Sequence, residues 1–410
     1  YNPDTQEMEL VRAIYAWGCV CAGTKVWTAD GRLVNVEDLK KEDGIMGWSD
    51  KTGITPQAIE YLQPPSEKPC YRITTNTGRF VECSDDHPIL WSRHGWNGGT
   101  YRKNMVGGTY SGKPHKRAKF VEAKDISVDD QIAVADMVPY FGIKRMWEPR
   151  LIGWLIGDGY YGGCTVRLSN CDPEINEYVY KNFDAKEEKA HITKDGKEYK
   201  ETRINGIQDR MREVGIFGQT KLNKRLPSGA HDYCKDDICE LLGGLFDADG
   251  HVNAVGNRTN RYISLTSSCY ELLDEVRMLL QKLGVQSNIK RIKCNPETNP
   301  RDKNDWYSLT IGRKESVIAF HENISFRVGY KQEKLNEAVG WHKKIREKRL
   351  KNPHGTMFER VVSVEYIGIR EIYNLTATSD HTYLANGIIT HNTGSSNNTG
   401  QGAFENDFKG

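Results

Sequence analysis

Reactive side chains gather at a few points along the 410-residue chain. His391-Asn392-Thr393 sets an imidazole, a carboxamide and a hydroxyl in a row. An asparagine side chain can attack its own backbone carbonyl, close into a succinimide and cut the chain after itself. A neighbouring imidazole can supply the proton transfers that a β-branched successor such as Thr393 otherwise makes slow. At the other end, Cys19 follows Gly18, the residue with least bulk beside a scissile carbonyl. A thiol there can take the Gly18 acyl group from its own nitrogen, if the amide is twisted or its nitrogen is protonated as it leaves. Ser84-Asp85-Asp86-His87 adds a hydroxyl and an imidazole, and Asp380-His381 adds further acid–base groups.

A different chemistry sits mid-chain. Leu151-Ile152-Gly153-Trp154-Leu155-Ile156-Gly157-Asp158-Gly159 and Leu242-Gly243-Gly244-Leu245-Phe246-Asp247-Ala248-Asp249-Gly250 align with Asp158 over Asp249. Small residues one turn apart let two helices pack backbone to backbone. Both helices then end on an aspartate, where the dipole disfavours negative charge. Two carboxylates brought together at two helix C-termini invite divalent cations, and Mg²⁺ there suits phosphodiester cleavage.

The elements that must position these groups fall into two textures. From Cys19 to about Ala135, short β-rich runs are broken by Asp30-Gly31, Asp43-Gly44, Lys51-Thr52-Gly53 and Thr77-Gly78, which predicts an all-β unit. The β texture returns at Val361-Val362-Ser363-Val364-Glu365-Tyr366 and runs through Ile372 to Thr376. It ends in Thr382-Tyr383-Leu384-Ala385-Asn386-Gly387-Ile388-Ile389-Thr390, where Asn-Gly between β-branched and aromatic runs predicts a hairpin. Between these pieces the period becomes helical. Val166 to Asn170 matches Ile263 to Ser267, each followed by an amphipathic helix, the second over Glu271 to Leu283. This internal duplication, with a period of about ninety residues, predicts two similar α/β halves. A basic helix is expected over Lys331 to Lys351.

Composition sets the bounds. A hydrophobic content of 38% supports packed cores in two or three domains, and no run approaches the length of a membrane span. With no charged-then-apolar leader, a cytoplasmic, reducing location is expected. Ten cysteines without paired zinc spacing fit that expectation and leave a thiol free to act as nucleophile. A formal charge of +2 says little about nucleic acid, but Arg102–Lys119, Lys221–Arg225, Lys290–Lys293 and Lys343–Lys351 are locally basic. The segment 95–119, with Arg102, Lys103, Lys113, Lys116, Arg117 and Lys119 among Tyr101, Tyr110 and His115, is a candidate DNA-contacting loop. The stretches before Cys19 and after Asn392 are equal in length and differ in texture from what they flank, which suggests a trimmed window around an inserted element.

Taken in order, Cys19-Val20-Cys21-Ala22-Gly23-Thr24, Ser84-x-x-His87, Tyr373-Asn374-Leu375-Thr376 with His381, and Ala385 to Thr393 resemble the blocks of an intein, a protein-splicing element. The mid-chain pair resembles the two LAGLIDADG helices of a homing endonuclease, and Lys224-Arg225-Leu226-Pro227 resembles the block that contributes a catalytic lysine. The resemblance implies a multidomain β plus α/β chain: an all-β Hint horseshoe interrupted by a pseudo-twofold α/β endonuclease. It places host segments at 1–18 and 393–410, the Hint pieces at 19–138 and 351–392, and the endonuclease at 139–350 with halves at about 139–238 and 239–350. It implies that Cys19 forms a thioester with Gly18, that the Thr393 hydroxyl takes the acyl group, and that Asn392 cyclises, joining Gly18 to Thr393. His87 would assist the first step, with Ser84 beside it, and His381 and His391 the Asn392 step. Asp158 and Asp249 would hold Mg²⁺, with Lys224 as auxiliary catalyst, in a monomer cutting both strands of a long DNA site. Two positions depart from the family pattern. Ser84 stands where threonine is usual, and Asn374 where aspartate is usual. Lys290 is a weaker counterpart of Lys224 in the second half. An autoprocessing domain of the hedgehog type shares the first step but has no need of His391-Asn392-Thr393 or of paired acidic helices.

Overall fold

The computed structural model describes residues 18–92, 118–163, 165–170, 172–192, 198–254, 261–294, 304–344 and 355–392. Residues 1–17, Thr393 with the rest of the second flank, and all of the candidate DNA-contacting side chains of 95–119 except Lys119 lie outside the described residues.

Strands from the two ends of the chain interleave. The largest sheet has eleven strands and mixes Val20–Cys21, Phe80–Ser84, Ser66–Thr75 and Pro88–Ser92 with Thr356–Tyr373, Thr382–Ala385 and Ile388–His391. Val20–Cys21 pairs with both Phe80–Ser84 and Thr356–Tyr373, and each of those pairs with Ser66–Thr75, so four strands close into a ring at the start of the sheet. Alternation fixes which side chains face inward: in Phe80–Ser84, Val81 and Cys83 are buried while Phe80 and Glu82 are half-buried.

The β texture that returns at Val361 belongs to a single long strand. Val361–Tyr366 and Ile372–Tyr373 are parts of one continuous strand, Thr356–Tyr373. Bulges against Ser66–Thr75 at Val361/Ser363 and Tyr366/Gly368 absorb the breaks in alternation, and Gly368 at φ +84° supplies the bend. The hairpin forms as the sequence predicts. Thr382–Ala385 pairs with Ile388–His391, and Asn386 (φ +50°) and Gly387 (φ +81°) adopt the two left-handed conformations that a tight two-residue turn requires.

Between Ala135 and Thr356 lie two halves of identical topology. Helix Pro149–Asp158 leads into a four-stranded sheet ordered Gly159–Tyr160, Val166–Asn170, Glu198–Ile204, Ala185–Ile192. Helix Lys235–Asp249 leads into a second, ordered Gly250–Asn253, Tyr262–Ser267, Trp306–Ile311, Asn288–Ile292. The two long helices pack against each other through glycine. A Cβ on Gly153 would lie 2.3 Å from the Leu241 carbonyl, and one on Gly244 2.2 Å from that of Arg150, so no larger residue fits at this crossing. Helix Tyr270–Lys282 begins one residue before the expected start, and the basic helix runs Gly329–Lys344.

Candidate functional site

The ring of four strands holds Cys19. Its backbone N–H, the nitrogen of the Gly18–Cys19 amide, donates to Ser84 Oγ at 3.0 Å. Ser84 Oγ in turn donates to Asp86 Oδ1 at 2.6 Å, and Lys68 Nζ meets Asp86 Oδ2 at 2.6 Å. Burial opposes the Asp86 carboxylate, but hydrogen bonds from Lys68 and Ser84 outweigh it and keep the acid below its usual range. A hydrogen-bonded line therefore runs from the Gly18–Cys19 amide nitrogen to a charged pair. Neither Lys68 nor Asp86 was singled out from sequence; the Ser84-Asp85-Asp86-His87 turn was the available signal.

His87 is fully buried and lies against Gly18: a Cβ on Gly18 would sit 2.9 Å from His87 Nδ1 and 2.5 Å from Pro88 Cδ. Gly18 has φ +76°, so conformation and space both select glycine at this position. Burial depresses the His87 pKa to about 4; the Gly18 backbone and Asp86 pull the other way without restoring it. The imidazole is therefore neutral near pH 7 and able to accept a proton. Burial also pushes the Cys19 thiol up to about 12, so the thiol keeps its proton near pH 7. The Tyr383 ring packs edge-on to His87 at 6.1 Å. Asn374 is buried, and its Oδ1 accepts from the Leu375 N–H at 2.8 Å. Extending the Val20↔Tyr373 pairing by one step sets it opposite Cys19.

The hairpin brings the other junction to the same strands. Thr390 pairs with Ile89, just past His87 and Pro88. Asn392 is buried at 1% exposure. Its backbone N–H donates to the His381 carbonyl at 2.6 Å, and in the amide orientation that satisfies both neighbours its side-chain nitrogen donates to that carbonyl at 2.8 Å while its oxygen accepts from the Ala377 N–H at 2.6 Å. His381 reaches this position through a left-handed backbone (φ +50°), and its ring lies 6.1 Å from that of His391. His391 also packs against Phe120, 4.9 Å between rings. Asn386, chemically the more labile asparagine, has its amide fully engaged: Oδ1 accepts from the Lys25 N–H at 2.9 Å and Nδ2 donates to the Phe80 carbonyl at 3.0 Å. It makes the turn and holds it.

The inner halves converge on two aspartates. Helices Pro149–Asp158 and Lys235–Asp249 end side by side, with a Cβ on Gly157 falling 3.4 Å from Asp249 Oδ2. Burial, then the nearby Asp249 charge, raises the Asp158 pKa to about 7, although Asn170 Nδ2 donates to its Oδ2 at 2.5 Å. Burial raises Asp249 as well. Lys224 Nζ donates to the Gly157 carbonyl, immediately before Asp158. Lys331, not foreseen from sequence, does the equivalent work in the second half: its Nζ donates to the Asp247 carbonyl and, at 3.3 Å, to that of Ala248, immediately before Asp249. Lys290 is exposed on Asn288–Ile292. Lys119 lies in strand Lys119–Glu122, with its ammonium 5.6 Å from the Trp91 ring centre. Among the described residues, no group of three or more His, Cys, Asp or Glu is placed to hold a metal.

Residues 236–325, spanning the second long helix and its sheet, match the family of LAGLIDADG-like domains. A LAGLIDADG-like domain thus lies between the two pieces of the outer β unit. Over 92% of its length it is 21% identical to the replicative DNA helicase DnaB of Rhodothermus marinus, of which it covers 46%. It is 25% identical, again over 92% of its length, to a DNA polymerase of Thermococcus hydrothermalis, covering 21% of that protein. It thus spans less than half of these curated relatives. Among solved structures, a DnaB intein from Synechocystis sp. PCC 6803 covers 92% of this chain and is itself covered to 99%, at 9% identity and a TM-score of 0.29.

Proposed function

We propose that the chain is an intein that excises itself from Cys19 to Asn392 and joins Gly18 to Thr393, and that its inner domain cuts double-stranded DNA at a specific site. The observation that carries the splicing reading is the arrangement of the Gly18–Cys19 amide, with its nitrogen on Ser84 and the neutral His87 ring against Gly18. A further argument comes from the relatives. Much the same share of this chain, 92–93%, aligns with a helicase, a polymerase and a tRNA-splicing ligase. Those enzymes have no common activity, so a shared inserted element explains the matches better than any of their functions.

Four steps make up the proposed reaction. Cys19 Sγ attacks the Gly18 carbonyl as its proton passes to a base, His87 being the neutral candidate, and the protonated His87 gives that proton to the leaving Cys19 nitrogen, which Ser84 Oγ holds in place by accepting its N–H. The Thr393 hydroxyl displaces Cys19 from the Gly18 acyl carbon. The Asn392 side-chain nitrogen then closes on its own backbone carbonyl, releasing the Thr393 amine, with His381 and His391 handling protons. The freed amine takes the Gly18 acyl group from the Thr393 oxygen, leaving a peptide bond. Asn374 cannot act as an acid, so it serves this site by hydrogen bonding alone.

For the inner domain, Asp158 and Asp249 would hold Mg²⁺, which when bound would activate water and stabilise the leaving phosphate oxygen. The fit lies in the acids themselves: a buried carboxylate pair held against repulsion is relieved by a divalent cation. Lys224 and Lys331 fix the helix ends that carry these acids. The domain bounds at 139–350 within 19–138 and 351–392, the pseudo-twofold axis, the Hint horseshoe, a monomeric state and a reducing, intracellular setting belong to the same reading. Among the described residues no helix is long and apolar enough to cross a membrane, and eight cysteines are free thiols.

Expression between two reporter domains tests the splicing reading. Mass spectrometry should find the ligated flanks and the free Cys19–Asn392 element. Unprocessed precursor across temperature and pH would overturn it.

A further inference from the structure

Helix Tyr270–Lys282 belongs to the inner domain by sequence and by one of its faces: Leu272, Leu273, Val276, Leu279 and Leu280 are buried in the inner core. Its other face enters the outer unit. Met278, fully buried, sits in one cluster with Trp27, Met46, Leu384 and Ile389, so the splice-junction hairpin rests partly on an inner-domain side chain.

The contact at the hairpin tip is polar. Gln281 is fully buried, and its Nε2 donates to the Ala135 carbonyl at 2.6 Å. The Ala135 N–H donates to the Gly387 carbonyl at 2.9 Å. A Cβ on Gly387 would meet Arg79 Nη1 at 2.9 Å and Gln281 Oε1 at 3.0 Å, so the turn is closed in from both sides. Arg79, itself fully buried, donates to the Asn386 carbonyl at 3.5 Å and to Gln286 Oε1 at 3.1 Å, and Gln286 Nε2 reaches the Ala135 and Asp136 carbonyls. Two inner-domain glutamines and one outer arginine thus hold the turn from which Ile388–His391 runs to Asn392.

We propose that Gln281 is a positioning residue for the Asn392 step, so that the inner domain takes part in splicing as well as carrying its own site. The inference rests on the splicing reading above. Asn392 must keep its amide between the His381 carbonyl and the Ala377 N–H, a geometry set by the register of a short two-stranded ribbon. A ribbon anchored at its tip holds that register. One released at its tip lets the reacting amide drift, and a drift of about 1 Å costs on the order of a hundredfold in rate. Cys19 is held instead in the four-strand ring, where its N–H donates to Ser84 Oγ and its carbonyl accepts from the Ser84 N–H.

The test compares two cleavages in the full chain between reporter domains. Dithiothreitol releases the N-terminal reporter through the Cys19 thioester, and spontaneous loss of the C-terminal reporter reports Asn392 cyclisation. Gln281→Ala should slow C-terminal cleavage about tenfold or more and leave thiol-induced N-terminal cleavage within about twofold. Gln281→Met keeps the volume without the N–H donor and should show the same split; it also stands in if Gln281→Ala does not fold, which loss of thiol cleavage would reveal. C-terminal cleavage at the unaltered rate in both variants would overturn the proposal. So would an equal fall in both cleavages in both variants, which marks a merely structural role. Failure of the unaltered chain to cleave at either junction would overturn the splicing reading, and this proposal with it.

Discussion

The amide nitrogen of Cys19 donates to Ser84 Oγ at 3.0 Å, and the hydroxyl passes the interaction on to Asp86 and Lys68. The hydroxyl, itself fixed by the Asp86 carboxylate, thereby holds the nitrogen that the proposed first step releases. Ser84→Ala should slow thiol-induced N-terminal cleavage about tenfold, the rate equivalent of about 1.4 kcal/mol of hydrogen bonding. Ser84→Thr, which keeps the hydroxyl, should stay within about threefold.

Gly18→Ala should be worse than loss of one hydrogen bond. The new methyl would lie 2.5 Å from Pro88 Cδ and 2.9 Å from His87 Nδ1, at a backbone φ of +76°. Thioester formation, followed by dithiothreitol cleavage, should fall by about a hundredfold, because both the carbonyl and the His87 ring are displaced. Cleavage at the unaltered rate would contradict the packing of His87 against the scissile bond.

Much of this was legible from the chain alone. The hairpin, the paired glycine-rich helices and the order of the reactive blocks are local patterns, and Asn386-Gly387 carries its turn chemistry in two letters. Lys331 was not legible, since it reaches the Asp247 and Ala248 carbonyls from a helix far along the chain, inside what reads as an ordinary basic stretch. Strand Thr356–Tyr373 starts ahead of Val361, where the β texture becomes readable, and its bulges interrupt the alternation. The anchorage of the hairpin by Gln281 was hidden for a different reason. Helix Tyr270–Lys282 has two buried faces, and hydropathy shows that a face is buried without showing which unit buries it.

The buried imidazole makes stability depend on pH. His87 has a folded-state pKa of about 4 against an ordinary 6.5, so between these values the unfolded chain binds more protons. Its contribution is fully present above pH 6.5 and is lost as pH falls toward 4, with a slope of up to about 1.4 kcal/mol per pH unit. Urea midpoints of a splicing-blocked chain should fall from pH 7 to pH 5, and His87→Gln should flatten that part of the curve.

Asp158 has the opposite sign. Its folded pKa, raised to about 7 from 3.8, means that its contribution is present below 3.8 and is lost as pH rises through 7. Asp158→Asn should therefore stabilise the metal-free protein at pH 8, by on the order of 2 kcal/mol, while abolishing Mg²⁺-dependent cutting of the uninterrupted host gene. Thermal unfolding and plasmid cleavage on the same sample check both halves. Cutting that survives the change would refute the two-carboxylate site.

Lys224→Ala and Lys331→Ala should behave as a pair. Each removes a cation from the carbonyl just before one aspartate, and each should slow double-strand cutting by about a hundredfold. Lys290→Ala, on an exposed strand, should leave the cutting rate of bound DNA unchanged.

The central claim is that the buried Asn392 amide, held by His381 and Ala377, is the group that frees the C-terminal junction. Asn392→Ala in the full chain between reporter domains tests it most directly, with mass spectrometry of the products. The account predicts no ligated flanks and no release at the C-terminal junction, while dithiothreitol still cleaves between Gly18 and Cys19. Ligated product, or release after position 392 at the unaltered rate, would contradict it.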